Sequence, residues 1–537
     1  MARISSTRLS RLLTGWSSEG PGPLPRRLAD ALRELAERGD VAGGTVLPSQ
    51  RELALVLGVS RSTVTAAYGL LEDAGRLESV RGSGSRLRGS GAPDGYVTEG
   101  RLVSFDARSR AADGTGTADL SSGALPGLGA VGEEVAALTR DDLGGLLGED
   151  GYHPYGLPAL REGIAAHYRA AGVPTEAAQI LVTAGSQQAV WLVAQALVEP
   201  GDTVVVEDPT YRGALEALRA RGARLVPVGG DGPGGEGADG SGPAALRRLV
   251  GHARPRLVYL QPTVHNPTGR SLDGAARREW RRVLADLELF AVEDMACAEL
   301  ALGPDGAGGI PAADGSPGPG TGLRGAGLQG AGLQDTGLKD SGLQDSGLQG
   351  PGLPWEGAGA EEVPVPLVAE LPMGSTVTVG TLSKLFWGGL RVGWVRASPQ
   401  VVSRLAQIKT SVDLSCSVVD QLLAVRLLDR LPEARAHRRA ALREQRDAAE
   451  ALLRTWAPHW EWTRPAGGPA LWVRVPGTDT EALAQLARRH GVSVVPGSAF
   501  SPVDGFRDRL RLPYARGTDA LAAALPVLLE CAERARG

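Results

Sequence analysis

Residues 381–391 read TLSKLFWGGLR, and Lys384 within them is one of only three lysines in a chain of 537 residues that carries 57 Lys plus Arg. The other two are Lys339 and Lys409. The stretch continues a β-branched run, TVTV at 376–379, which reads as a strand. A second scarcity matches it. VHNPTG at 264–269 contains Asn266, the only asparagine in the chain, directly after another apolar run, RLVYLQP. A composition that avoids both residue types nevertheless keeps a primary amine at 384 and an amide at 266, each just past a strand-like segment.

Working outward, four further runs have the same character: ILVTAG at 180–185, TVVVED at 203–208, FAVED at 290–294 and GWVRA at 393–397. They alternate with helical patterns, which implies a largely parallel sheet covered by helices, with functional groups at the carboxyl ends of its strands. The conspicuous residues do follow those ends. Ser186, Gln187 and Gln188 open a helix after the first run, at an anion-binding position. Tyr211 follows the second run, Asp294 closes FAVED, and Lys384 follows TVTVGTLS.

These residues and their order resemble the fold-type I, class I/II aminotransferases, which hold pyridoxal 5'-phosphate. YGLPALREGIAAHY, AGSQQA, EDPTY, HNPTG, VED, GTLSK with GGLRVGW, and RLRLPYA all occur in family order. The resemblance implies a role for each position. Lys384 forms a Schiff base with the cofactor aldehyde, which arginine cannot do. Asp294 faces the pyridine nitrogen and keeps it protonated. Tyr211 stacks on the ring, and Asn266 donates to the phenolic oxygen, with Asn266–Pro267 a frequent cis bond in this family. Arg391 clamps the phosphate with Thr381 and Ser186, beside Gln187. Arg511 takes a substrate or effector carboxylate. One departure stands out: the family usually has a tyrosine two or three residues after the aspartate, whereas here Ala296 and Cys297 occupy those positions. Loss of that donor weakens the tuning needed for transamination more than it weakens cofactor binding.

The first ninety residues have a different character. LPRRLADALRELAERGD places Leu28, Ala31, Leu32 and Leu35 at helical spacing. Ser49 and Glu52 make a capping-box pattern for a helix from about Gln50 to Gly58. Ser60 caps the next helix, whose inner face takes Val64, Ala67, Leu70 and Leu71. RLESVRGSGSRLR then reads as a hairpin with a glycine tip. The order resembles the winged helix-turn-helix of GntR-type bacterial regulators over residues 24–88. By that resemblance Arg61, Ser62 and Thr63, next to Ser60, lie near base edges in the major groove. Arg51, Tyr68 and the wing residues Arg81, Gly82, Ser83 and Gly84 meet phosphates or the minor groove. A small protein-interaction module is the alternative for this segment.

Composition bounds the rest. No run approaches the length of a membrane span, the start has no continuous apolar leader, and the expected location is cytoplasmic. Cys297, Cys416 and Cys531 have neither metal-ligand nor disulfide spacing, and no metal is expected. Residues 1–90 hold 13 Arg against 9 Asp plus Glu in a chain whose net charge is −4, so this segment is the basic one. Gly-Leu recurs every five residues from Gly322 to Leu353, a period of neither helix nor strand. Residues 303–362 are therefore expected to be a disordered insertion, either inert or a docking segment, and 229–243 a surface loop.

The expected organisation is a multidomain chain. An α+β winged helix-turn-helix at 1–88 and a linker at 89–118 precede an α/β fold-type I pyridoxal-phosphate transferase domain at 119–537. This combination resembles the MocR subgroup of GntR regulators. It implies a regulator of double-stranded DNA that senses the cofactor or an amine or amino acid, and assembles as a head-to-tail homodimer. The alternative is an active aminotransferase with an appended regulatory domain. A fold that binds no cofactor fits poorly with Lys384, Asn266 and Asp294 all present.

Overall fold

The computed structural model describes residues 4–18, 22–37, 41, 45–74, 76–80, 84–87, 118–229, 242–303 and 365–536. The expected linker, the glycine-rich loop and the Gly-Leu insertion lie outside these residues apart from their flanks, as do wing residues Arg81, Gly82 and Ser83.

At the amino end, α1 (Ser6–Leu12), α2 (Leu24–Glu37), α3 (Gln50–Leu57) and α4 (Arg61–Asp73) precede an antiparallel pair, β1 (Leu77–Val80) and β2 (Gly84–Leu87). The capping box on α3 forms as the sequence suggests: Ser49 Oγ accepts the Glu52 N–H and Glu52 accepts the Ser49 N–H. Gly58 ends α3 in the left-handed region at φ 65°. The core is built from Leu28, Leu32 and Leu35 of α2, Leu53 of α3 and Val64, Ala67 and Leu71 of α4. Two differences from the sequence expectation appear here. Leu70 is 41% exposed rather than facing inward, because Val64, Ala67, Tyr68 and Leu71 already fill the buried stripe of α4. Helix α1, which the periodicity argument passed over, adds Leu9 and Leu12 to the same core, followed by Leu13 and Trp16.

After β3 (Ala118–Asp119), seven strands form the central sheet: β4 (Ile180–Thr183), β5 (Thr203–Glu207), β6 (Arg224–Val228), β7 (Leu257–Leu260), β8 (Ala291–Asp294), β9 (Thr376–Thr381) and β10 (Gly393–Ala397). Their order is β4-β10-β9-β8-β7-β5-β6. Adjacent pairs from β9 to β6 are parallel, and β10, the GWVRA run, is antiparallel to both β9 and β4. Strands β4, β5, β7, β8, β9 and β10 are buried at every residue. Both faces are therefore covered, which explains why these strands read as continuous apolar runs.

A second sheet, β11 (Glu461–Trp462), β12 (Ala470–Arg474), β14 (Val495–Pro496) and β15 (Arg509–Pro513), has the order β11-β12-β15-β14, and β13 (Val492–Ser493) pairs in parallel with β3. Its core includes Leu442 and Leu453 of the Leu431–Trp456 helix and Leu521, Leu525 and Leu528 of the Asp519–Arg534 helix. No helix among the described residues is long and apolar enough to cross a membrane.

Candidate functional site

Loops at the ends of the central strands, together with the residues that follow β3 and Arg511 on β15, enclose an open cavity of about 1090 Å³. Ser186, Gln187, Tyr211, Asn266, Thr381, Lys384, Arg391 and Arg511 all line it. Residues more than 300 positions apart thus converge, most of them because each central strand delivers its following residue to the same edge.

Ser186 is the first residue of the Ser186–Leu197 helix, which follows Gly185 at φ 86°. The N–H groups of such a first turn have no acceptor within the helix. Arg391 reaches the same turn, where its guanidinium donates to the Ala184 carbonyl. The left-handed φ of 86° favours glycine at 185, and a Cβ there would also press on the Arg391 guanidinium at 3.0–3.2 Å. Gln187 is held on both sides, accepting from Tyr211 Oη at 2.7 Å and donating to the Gly213 carbonyl at 3.1 Å. Its amide thus fixes the Tyr211 ring. Thr381 Oγ1 donates to the Val392 carbonyl at 2.7 Å and accepts the Ser383 N–H at 3.1 Å, so it shapes the turn that presents Lys384. Ser383 Oγ is buried, lines the cavity and has no protein partner among the described residues. Sequence reasoning missed Ser383, although a second hydroxyl two residues after Thr381 was a signal for it.

Lys384 is partly buried and has no hydrogen-bonded partner among the described residues. Asp294, at the end of β8, is 5% exposed; burial raises its carboxyl above the usual range, against hydrogen bonds from Tyr259 and the Ala296 N–H and the Lys384 charge. Asn266 is joined to Pro267 by a cis bond and donates its backbone N–H to Gln261 Oε1 at 2.9 Å. Cys297 lines the cavity, and burial pushes its thiol up. Arg511 donates to the Ser121 carbonyl and lies 5.1 Å over the Phe500 ring, while its Nε has no partner among the described residues. Burial, with Arg212 as a like-charged neighbour, pushes its guanidinium down to about 10.

On the helix-turn-helix, Arg51 and Arg61 are exposed at the first turns of α3 and α4. Ser62 is exposed, and Ser60 caps α4 by accepting the Thr63 N–H at 3.1 Å while contacting Ser62 Oγ and Thr63 Oγ1. Tyr68 corrects the sequence expectation of a nucleic-acid contact. It is 1% exposed and donates to the Pro48 carbonyl at 3.0 Å, tying α4 to the segment before α3. An aromatic one turn beyond Val64 shares the buried stripe, which is the physical reason it points inward. Gly84 begins β2, opposite Val80.

Comparison with known proteins agrees with this architecture. The model of aminotransferase class I and II matches residues 117–323 and 350–525, and that of bacterial regulatory proteins, gntR family, matches residues 24–87. The chain is 30% identical to a 2-aminoadipate transaminase of Thermus thermophilus over 344 residues, 63% of this chain and 70% of that protein. It is 26% identical to the HTH-type transcriptional regulator YisV of Bacillus subtilis over 528 residues, 94% of each chain. Among solved structures it resembles LysN, an alpha-aminoadipate aminotransferase of Thermus thermophilus, with 27% identity and a TM-score of 0.58, covering 77% of this chain and 91% of that one. The chain belongs to the aminotransferase class I and II family, a pyridoxal-phosphate-dependent family, and carries a GntR-type DNA-binding domain ahead of it in the manner of the MocR regulators.

Proposed function

We propose that the chain is a transcriptional regulator whose aminotransferase-like domain senses pyridoxal phosphate, alone or together with an amino compound, and passes that state to its DNA-reading domain. The observation that carries this reading is the joining, in one chain, of exposed arginines at two helix-turn-helix N-termini to a cavity that Lys384 and Asn266 line, with Asp294 buried beside it. The reading domain spans 1–88, the linker 89–118 and the sensing domain 119–537, with an insertion at about 303–362.

The cavity residues fit the cofactor. The Ser383 hydroxyl, without a partner among the described residues, the Ser186 helix terminus, Thr381 and Arg391 form an anion cradle at one end. Buried Asp294 meets the chemistry of a protonated ring nitrogen, and Lys384 supplies an amine with no hydrogen-bonded partner among the described residues. When bound, pyridoxal phosphate supplies an aldehyde and an electron-withdrawing ring. The chain's own work is then division of charge: Arg391 and the helix terminus hold the phosphate, Asp294 holds a proton at the ring nitrogen, and Gln187 keeps Tyr211 in place as a plate. Asn266 supplies a neutral donor on the remaining edge. Arg511, half-buried on the cavity wall with an Nε that has no partner among the described residues, receives the carboxylate of an amino acid effector.

Arg51 and the wing neutralise phosphates, and Arg61, Ser62 and Thr63 face base edges. A head-to-tail dimer sets two such heads on separated half-sites of a duplex in the cytoplasm. A second reading, an aminotransferase with a tethering head, draws on the same complete set of Lys384, Asp294 and Asn266. Ala296 and Cys297, where a phenol would tune turnover, favour the regulator.

The test gives the full chain, loaded with pyridoxal phosphate, two tasks: specific retention on DNA from upstream of its own gene over unrelated DNA, and keto-acid production from a panel of amino donors. The regulator reading expects specific retention with at most slow turnover. Sustained turnover without specific retention supports the second reading instead.

A further inference from the structure

Asp294 is held from behind by a phenol outside every motif that faces the cavity. Tyr259 Oη donates to Asp294 Oδ2 at 2.5 Å, while the Ala296 N–H donates to Oδ1 at 2.8 Å. Tyr259 is 2% exposed and spends its hydroxyl proton on the Asp294 carboxylate, so it acts through that carboxylate. Burial, together with the Asp294 charge, holds its proton well above the usual tyrosine range, which makes the phenol the donor and the carboxylate the acceptor.

Gln261 completes the arrangement. The Asn266 backbone N–H can only donate, so the Gln261 oxygen must face it, at 2.9 Å. That leaves Nε2 toward Tyr259 Oη at 3.3 Å and Thr210 Oγ1 at 3.5 Å. The Gln261 backbone N–H is anchored in turn on Glu207 Oε2 at 2.5 Å. Tyr259 lies in β7 and Gln261 directly follows the strand, and the contact between Gln261 Nε2 and Tyr259 Oη brings the two side chains to the same side. One side-chain path therefore runs from Asp294 on β8 through Tyr259 and Gln261 to the loop carrying Asn266.

We propose that Tyr259 and Gln261 are positioning residues for the cofactor site: the phenol keeps Asp294 ionised and fixed in orientation, and Gln261 locks that setting to the backbone of Asn266. The proposal rests on the reading of Asp294 and Asn266 as cofactor contacts. A buried carboxylate stripped of one of two donors gains proton affinity, and a neutral Asp294 no longer sustains a protonated ring nitrogen. The ring then withdraws fewer electrons, and a nitrogen conjugated to it becomes more basic.

The experiment measures two properties of the full chain: its affinity for pyridoxal phosphate, and the pH midpoint at which the bound cofactor's visible absorption band titrates. The variants are Tyr259→Phe, which keeps the ring volume, Gln261→Leu, their double, and Asp294→Ala. Tyr259→Phe is expected to weaken affinity on the order of tenfold, the scale of one lost hydrogen bond to a charged group, and to move the midpoint upward. Gln261→Leu shifts both in the same direction by less, and the double variant matches Tyr259→Phe because the two act through one path. If Asp294→Ala leaves both readouts unchanged, the reading of the site itself fails. If Asp294→Ala weakens binding while Tyr259→Phe and Gln261→Leu stay within about twofold with unmoved midpoints, the positioning proposal is overturned. Losses that multiply in the double variant would likewise overturn the single path.

Discussion

Partial burial shapes what Arg511 does. A guanidinium drawn partly out of water needs compensation, and this one has a backbone carbonyl, an aromatic face and an Nε without a partner among the described residues. At about 10 it remains charged at neutral pH and is poised for a carboxylate. Arg511→Leu should therefore weaken the effect of carboxylate-bearing amines by about tenfold or more while changing pyridoxal-phosphate affinity less than about twofold, both measurable by absorbance titration. A second residue sets a pH dependence. Burial, opposed by a hydrogen bond from Ser501, pushes the Asp208 carboxyl up to about 6, whereas an unfolded aspartate titrates near about 4. Between those values the folded protein keeps a proton that the unfolded chain has released. The stabilising contribution is full below about pH 4 and is lost as pH rises through about 6. The Tm of the natural protein should thus rise relative to Asp208→Asn as pH falls from about 7 to about 5, and a pH-independent difference would count against this assignment. Lys384, Asn266 and Asp294 were legible in the sequence because few side chains substitute for their chemistry. Ser383, Tyr259 and Gln261 were not, since a serine beside a lysine is common and Tyr259 sits inside an apolar run. The alternation of Tyr259 and Gln261 at the end of β7 was the available clue. Tyr68 misled for the opposite reason: an aromatic near arginines suggests a surface role until its burial is seen.

At the scale of elements, the anion cradle depends on how closely β10 approaches the turn before the Ser186–Leu197 helix. Gly393 pairs with Thr183 of β4, and an added Cβ at Gly393 would lie 2.7 Å from the Gly185 carbonyl carbon and 2.8 Å from the Ser186 nitrogen. Those atoms belong to backbone and cannot swing aside. Gly393→Ala should displace the helix terminus, cost about 1–3 kcal/mol of stability, and reduce pyridoxal-phosphate affinity by about tenfold or more in equilibrium titration. Unchanged affinity would separate that terminus from the cofactor. Continuous apolar runs disclosed the central strands, and Ser49 with Glu52 disclosed α3, because caps and buried strands leave local signatures. The antiparallel direction of β10 left none, since it follows from chain routing between β4 and β9. Helix α1 is only seven residues long and draws its stability from Leu9 and Leu12, with Leu13 just beyond, packing on the helices that follow, a tertiary cause that propensity does not register.

At the scale of the molecule, α1 also touches the carboxyl-terminal lobe. Arg11 lies 3.5 Å from Asp479, and Arg489 donates to the Thr14 carbonyl at 3.3 Å. Such partly exposed polar contacts are individually weak. The two family resemblances were readable separately from residues 24–88 and from residue 119 onward. This contact was not, because it joins positions 475 residues apart. The central claim, that cofactor state governs DNA binding, is tested most directly by one measurement: affinity of the full chain for DNA upstream of its own gene, at fixed salt, with and without pyridoxal phosphate, beside Lys384→Ala. The account predicts an affinity change of about fivefold or more with cofactor, consistent with a coupling on the order of 1 kcal/mol or more, and its loss in the variant. Specific binding of equal strength in all four conditions would contradict it.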